Sequence, residues 1–268
     1  MKPTYCDSHA HLLDNAFDAD REQIIEQSFA DGIENIAEIA CEPKDWNGAV
    51  ALQKKYPKNI KCALGIHPHN CDKLTPDTLK KLKTFFADDN ISALGEIGLD
   101  YAKSTFDKET QKETLITILK ETASFNKPLI LHCRNDFEGK ENAYADLADI
   151  LKSYWTPPTN RKITGILHCF SSAITDAVWA VDMGLLIGIG GIITYPKNDA
   201  LRETAVKVRL ENLITETDCP YLPPQTQRGK RNSPLNIPEI CKALGEILKV
   251  PAEKISKVTV KNFKEVFK

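Results

Sequence analysis

Eight short apolar runs, each followed by a longer stretch with helical periodicity, mark this chain from end to end. The runs cover residues 4–7, 35–40, 60–66, 91–97, 128–133, 163–168, 185–190 and 213–217. They are apolar toward both faces, as strands are when helices cover both sides of their sheet. Helical patterns lie between them at 20–30, 44–55, 77–86, 108–125, 143–154, 172–181 and 201–209. Two more follow the last run, at 238–248 and 252–267. Thr75, Pro76 and Asp77 read as a cap, a first helical residue and a first-turn acid, and Gly32 as a stop after the first helix. Strand and helix alternating in this way predict a parallel α/β sheet, closed into a (β/α)8 TIM barrel. An open, doubly wound sheet is the alternative. The 268 residues fit a single barrel domain, 1–268, since about 250 is typical.

Bulk properties narrow the function. With a net charge of -2, nothing suggests a protein that coats duplex nucleic acid with a basic face, so any attraction to phosphates is local to a site. No run approaches the roughly 18 apolar residues that a membrane span needs. The start, Met1-Lys2-Pro3-Thr4, has no secretory pattern and reads as cytoplasmic. Eight cysteines include no CxxC pair, and several lie in or beside apolar runs, which favours reduced, buried thiols. The segment 220–234, with four prolines and the cations Arg228, Lys230 and Arg231, is longer than an ordinary connection and reads as a functional loop.

The chemistry lies in the six histidines, each at the carboxyl end of a predicted strand. His9 and His11 follow the first, His67 and His69 the third, His132 the fifth and His168 the sixth. Glu96 closes the fourth strand, and Glu216 and Asp218 close the eighth. In a barrel those ends converge on one face, where such enzymes carry their active sites. Strand alternation puts His9 and His11 on the same face, about 7 Å apart. Their imidazoles can then share one divalent ion. A carboxylate can bridge to a second ion about 3.5–4 Å away, and Glu96 lies between the first and fifth strands to do so. Such donors suit Zn2+ or Mn2+, with Mg2+ if water completes the shell.

These motifs resemble those of the TatD family of metal-dependent deoxyribonucleases, within the wider amidohydrolase-like barrels. The similar segments are Asp7-Ser8-His9-Ala10-His11-Leu12, Gly65-Ile66-His67-Pro68-His69 and Gly95-Glu96-Ile97-Gly98-Leu99-Asp100-Tyr101. Later come Leu131-His132-Cys133-Arg134, Leu167-His168-Cys169-Phe170-Ser171, Glu216-Thr217-Asp218-Cys219-Pro220-Tyr221-Leu222 and Arg228-Gly229-Lys230-Arg231-Asn232. The resemblance implies one to three divalent ions (Mg2+, Mn2+ or Zn2+) held by His9, His11, Glu96, His132, His168 and Asp218. The polar insertion 136–142 is a departure that could alter access to the site.

The function expected is hydrolysis of phosphodiester bonds in DNA, as a 3′-5′ exonuclease, with a metal-activated water as nucleophile. RNA is a further candidate substrate. Asp218 and Glu96 are the catalytic carboxylates in this reading, Asp218 orienting or deprotonating the water. Glu216 takes a supporting place behind the ligands. His67 and Arg231 are the expected substrate contacts, with Lys230 beside Arg231, and the role of His69 is open. Tyr101 and Phe170 are candidates for base stacking or for packing. The expected partner is single-stranded or frayed 3′ nucleic acid, with no membrane and no obligate protein. The rivals are an ester or amide hydrolase, such as a D-aminoacyl-tRNA deacylase, and a non-catalytic metal-binding protein.

Overall fold

In the computed structural model, which describes residues 3–87, 91–159 and 161–268, every apolar run contributes a strand. Met1 and Lys2, on which the reading of the chain start rests, lie outside the described residues. The strands are β1 (Tyr5–Ala10), β2 (Ile33–Ala40), β3 (Ile60–Leu64), β4 (Ala93–Asp100), β5 (Leu129–Arg134), β6 (Gly165–Leu167), β7 (Leu185–Ile189) and β8 (Leu213–Thr215). The first helices are α1 (Arg21–Ala30), α2 (Trp46–Lys55), α3 (Pro76–Phe86), α4 (Lys108–Thr122) and α5 (Ala143–Tyr154). Then come α6 (Ile174–Asp182), α7 (Asp199–Val208), α8 (Ile237–Leu248) and α9 (Ala252–Val266).

The strands pair in parallel in sequence order, β1 to β8. β8 returns to β1 through a parallel bridge between Ala10 and Cys219. Beside it the Asp218 N–H donates to the His9 carbonyl, and the His11 N–H to that of Cys219, each at 2.8 Å. This closes the sheet as a (β/α)8 barrel. Local signals hold too: Thr75 and Thr78 exchange the reciprocal bonds of a capping box ahead of α3, and Gly32 after α1 has φ 95°.

Two cores account for strands that are apolar on both faces. The larger fills the space between sheet and helices, with Leu64, Leu131, Leu167 and Ile187 pointing outward against Trp46, Leu115, Leu147 and Ala177. The smaller lies inside the barrel. Each strand gives it an inward residue: Cys6, Ala37, Ala63, Ala93, Ile130, Ile166, Leu186 and Ile214. Its floor is α9, whose Val260, Phe263 and Val266 pack there with Phe267. The amino end of the barrel is therefore plugged by hydrophobic side chains, and only the carboxyl end can open to a ligand. No disulfide forms among the described cysteines, and no described helix is long and apolar enough to cross a membrane.

The Phe263 side chain is 1% exposed and stacks at 4.5 Å on Phe267. Phe263→Ala should cost about 3–5 kcal/mol of stability in chemical denaturation, the usual range for a buried aromatic. A loss below about 1 kcal/mol, far under that range, would mean that α9 does not seal the barrel.

Candidate metal centre

Plain alternation would turn some of the key side chains the wrong way. On β1, Cys6 points into the barrel, so Ser8 and Ala10 would follow it and His9 would face the helices. The pairing register with β2 instead shifts between Asp7 and Ala10. Ala10 joins the outer core and His9 enters the barrel. β4 does the same. Ala93 points inward, yet the register with β5 shifts between Gly95 and Ile97, Ile97 packs outward and Glu96 turns in. Irregularities of this kind characteristically re-aim a side chain at an active site. His132 and His168 need no such device, since each lies two residues beyond the inward Ile130 or Ile166.

The Glu96 carboxylate, 2% exposed, straddles two sets of donors. Its Oε2 lies 3.4 Å from His9 Nε2 and 3.9 Å from His11 Nε2. Its Oε1 lies 2.9 Å from His132 Nδ1, 3.6 Å from His67 Nε2 and 3.7 Å from His168 Nε2. Asp218 Oδ1 completes the cluster at 3.5 Å from His11, 3.8 Å from His168 and 3.9 Å from His9. Asp218 has φ 58°, a left-handed conformation that is uncommon for non-glycine residues. Ligand atoms of His9, His11 and Asp218 all lie within 4.8 Å of one another, as do those of His67, Glu96 and His132. Two adjacent groups of imidazole and carboxylate donors that share the Glu96 edge fit one or more divalent ions.

The structure thus brings together all six residues expected as ligands. It also draws His67 in among them, closer to the donors than a contact with substrate alone requires. Glu216, fully buried, accepts the Cys169 N–H at 2.6 Å and lies 3.0 Å from His168 Nδ1. A Cβ at Gly188 would come within 2.4 Å of its Oε2, so the glycine makes room for the carboxylate. A carboxylate behind a ligating imidazole holds the ring with Nε2 turned to the ion.

Asp100 went unassigned on sequence. Its buried Oδ2 lies 2.9 Å from His69 Nε2 and 3.1 Å from His132 Nε2, and its Oδ1 accepts the N–H groups of Ala102 and Lys103. The signal was the four-residue step from Glu96, which places both on one face of β4. The same step requires Gly98, where φ is 150° and a Cβ would clash with the His132 backbone.

Arg231 departs from expectation. Its guanidinium makes paired bonds of 2.8 and 2.6 Å to the Asp20 carboxylate and lies 4.6 Å from the Phe17 ring centre. It is absent from the cavity wall and pins the long loop to the barrel instead. Buried Asn232 adds two bonds, to the carbonyls of Thr217 and Tyr221. Neither candidate stacking ring lines the cavity: Tyr101 donates its hydroxyl to Asp146 at 2.6 Å, and Phe170 is buried against Tyr144. The insertion 136–142 does not line the cavity.

Protonation follows from crowding. Burial opposes the Glu96 anion, but the surrounding His67, His9 and His132 hold its carboxyl well below the usual range. Burial likewise opposes charge on His11 and His168. The carboxylates of Asp218 and Glu216 override it and push the imidazoles up to about 9 and about 10. His67, where burial prevails, is held neutral.

A closed parallel barrel with histidines and carboxylates gathered at its carboxyl mouth defines a metal-dependent hydrolase. The chain belongs to the TatD-related DNase family, whose pattern matches residues 6–268. It is 29% identical over 262 residues to the uncharacterized metal-dependent hydrolase YabD of Bacillus subtilis, covering 98% of each chain. With the uncharacterized metal-dependent hydrolase YcfH of Escherichia coli K12 it shares 33% identity over 212 residues, 78% of this chain and 74% of that one. The crystal structure of YJJV, a TatD homologue from Escherichia coli K12, superposes with a TM-score of 0.86 at 28% identity, covering 100% of this chain and 99% of that one.

Two outcomes follow. Glu216→Ala should weaken binding of Zn2+ or Mn2+ about 10- to 100-fold in calorimetric titration; wild-type affinity would leave Glu216 a purely structural role. Because the raised imidazoles must lose protons before they can ligate, apparent affinity should climb as pH rises from neutral toward about 9. Titration in buffers of different ionisation heat should show protons released, and a flat profile would contradict the assignment.

Proposed function

We infer that the protein is a metal-dependent phosphodiesterase that removes nucleotides from the 3′ ends of single-stranded or frayed DNA. The observation that carries this reading is the Glu96 carboxylate, with one oxygen toward His9 and His11 and the other toward His132, His168 and His67. A carboxylate so placed supports a two-metal site of the kind that phosphoryl transfer uses. Divalent ions held there supply Lewis acidity, making water acidic near neutral pH and neutralising charge on the phosphoryl oxygens.

The protein's own groups do the rest. Asp218 stays ionised: burial works against its charge, but His168, His11 and His9 hold its carboxyl low. As a pure acceptor it orients the attacking water toward phosphorus. His67, held neutral, offers a ring nitrogen as a ligand or an N–H to a phosphate oxygen, and no net charge. Asp100 and Glu216 keep His132 and His168 in place. The site opens into a cavity of about 680 Å³ at the carboxyl end of the barrel. A pocket of that order takes a small ligand, such as a nucleotide or two, which supports action on strand ends over duplex interiors.

The test is a substrate panel with Mn2+ or Mg2+, comparing labelled oligonucleotides and bis(p-nitrophenyl) phosphate with a lactone and an aminoacyl-tRNA. Phosphodiester cleavage should vanish with chelator and return with metal. Asp218→Asn should lower turnover about 10²- to 10⁴-fold with the circular dichroism unchanged. Turnover of the lactone or the aminoacyl ester alone would replace the nuclease reading with its rival.

A further inference from the structure

The mouth of the barrel is electrically lopsided. Beyond β1 and β2 its wall carries Asp14, Glu42 and Asp45, and Lys44, the one lysine or arginine lining that stretch, is paired to Glu42 at 2.9 Å. Three strands further round, the wall carries Arg134 at the end of β5 and Lys103 just after β4. These two cations have little else to do. The Lys103 ammonium makes no ion pair or hydrogen bond among the described residues, and the side chain is exposed. Arg134 makes no side-chain hydrogen bond there, and its one ion-pair contact is Asp100 at 3.6 Å, beyond hydrogen-bond reach.

Asp100 cannot hold Arg134 more firmly, because its oxygens already serve His69, His132 and two backbone N–H groups. The Arg134 side chain is left 29% exposed on the cavity wall, with its donor fork free of hydrogen bonds among the described residues. It is also close to the chemistry: contacts of 3.6, 3.1 and 2.9 Å run from Arg134 through Asp100 and His132 to Glu96. A forked, permanently charged donor facing a cavity suits bidentate binding of a phosphate.

We propose that Arg134 and Lys103 form a subsite for a second, non-scissile phosphate, so that the strand leaves the metal centre over β4 and β5. The acidic wall beyond β1 and β2 repels a polyanion and leaves that side to the released end. The proposal rests on the phosphodiesterase reading for its substrate class, but the binding it requires is independent of turnover.

The probe is a 5′-fluorescein pentathymidylate with phosphorothioate linkages, followed by fluorescence anisotropy with the metal-loaded protein and again in chelator. Hydrolysis is measured in parallel on the unlabelled oligonucleotide and on bis(p-nitrophenyl) phosphate, which has one phosphate only. Arg134→Gln and Lys103→Gln should each weaken oligonucleotide binding about tenfold, as loss of a charge-assisted phosphate contact does. Each should flatten the slope of log affinity against log salt by about 0.7, one contact on a single strand. Their loss in kcat/KM should be about tenfold greater on the oligonucleotide than on bis(p-nitrophenyl) phosphate, and Asp45→Asn should tighten binding.

Equal losses on both substrates would overturn the subsite in favour of a structural role for Arg134. So would wild-type binding by both variants, or a wild-type protein that does not bind the oligonucleotide at all. If binding depends on Arg134 and Lys103 as expected while no phosphodiester is cut, the subsite stands and the phosphodiesterase reading fails.

Discussion

A single buried carboxylate sets the terms for the open end of this barrel. Glu96 is 2% exposed, and an isolated anion at that depth would cost far more than a folded domain can spare. It is tolerated because imidazoles face both its oxygens. The consequence runs outward: imidazoles packed this closely repel one another once protonated, so they require the carboxylates of Asp218, Asp100 and Glu216 in turn. His9 and His168 lie stacked at 3.4 Å between ring centres, a contact that two imidazolium ions would not share readily. The centre is therefore one cooperative set in which removing any member leaves another charge unmatched.

The two ends of the barrel divide the work. At the amino end small and branched side chains fill the interior and α9 seals it, so packing holds the strands from below, with Asn262 and Thr259 of α9 also hydrogen-bonded to Leu213 and Thr215 of β8. At the carboxyl end polar groups replace that packing, and stability comes from bonds across the β1–β8 seam. Asp7 illustrates the seam. It is fully buried, and its carboxylate accepts the N–H groups of His9 and Thr217 and the Thr217 hydroxyl, tying the strand that carries His9 to the segment that carries Asp218. The long proline-rich loop is fastened over the same seam by Arg231 and Asn232.

Much of this was legible in the chain. The order of strands and helices followed from apolar runs and periodicity, because parallel strands covered on both faces have little choice of composition. The histidines could be assigned to one face because strand ends in a barrel converge. Arg231 could not be placed: its partner Asp20 is 211 positions away, and a cation in a polar loop reads the same whether it faces a ligand or a neighbouring carboxylate. Asp100 lies three residues past the apolar run 91–97, and nothing local said that the strand ran on to reach it.

The sequence by itself determined the class of fold, the end of the barrel that carries the chemistry and the kinds of donor found there. All three depend on residue type and spacing, which are local. Tertiary structure alone decided which way His9 and Glu96 point. Alternation has a period of two, so one register shift reverses every side chain beyond it, and such a shift is set by pairing with β2 or β5 and leaves no periodic trace in the strand itself.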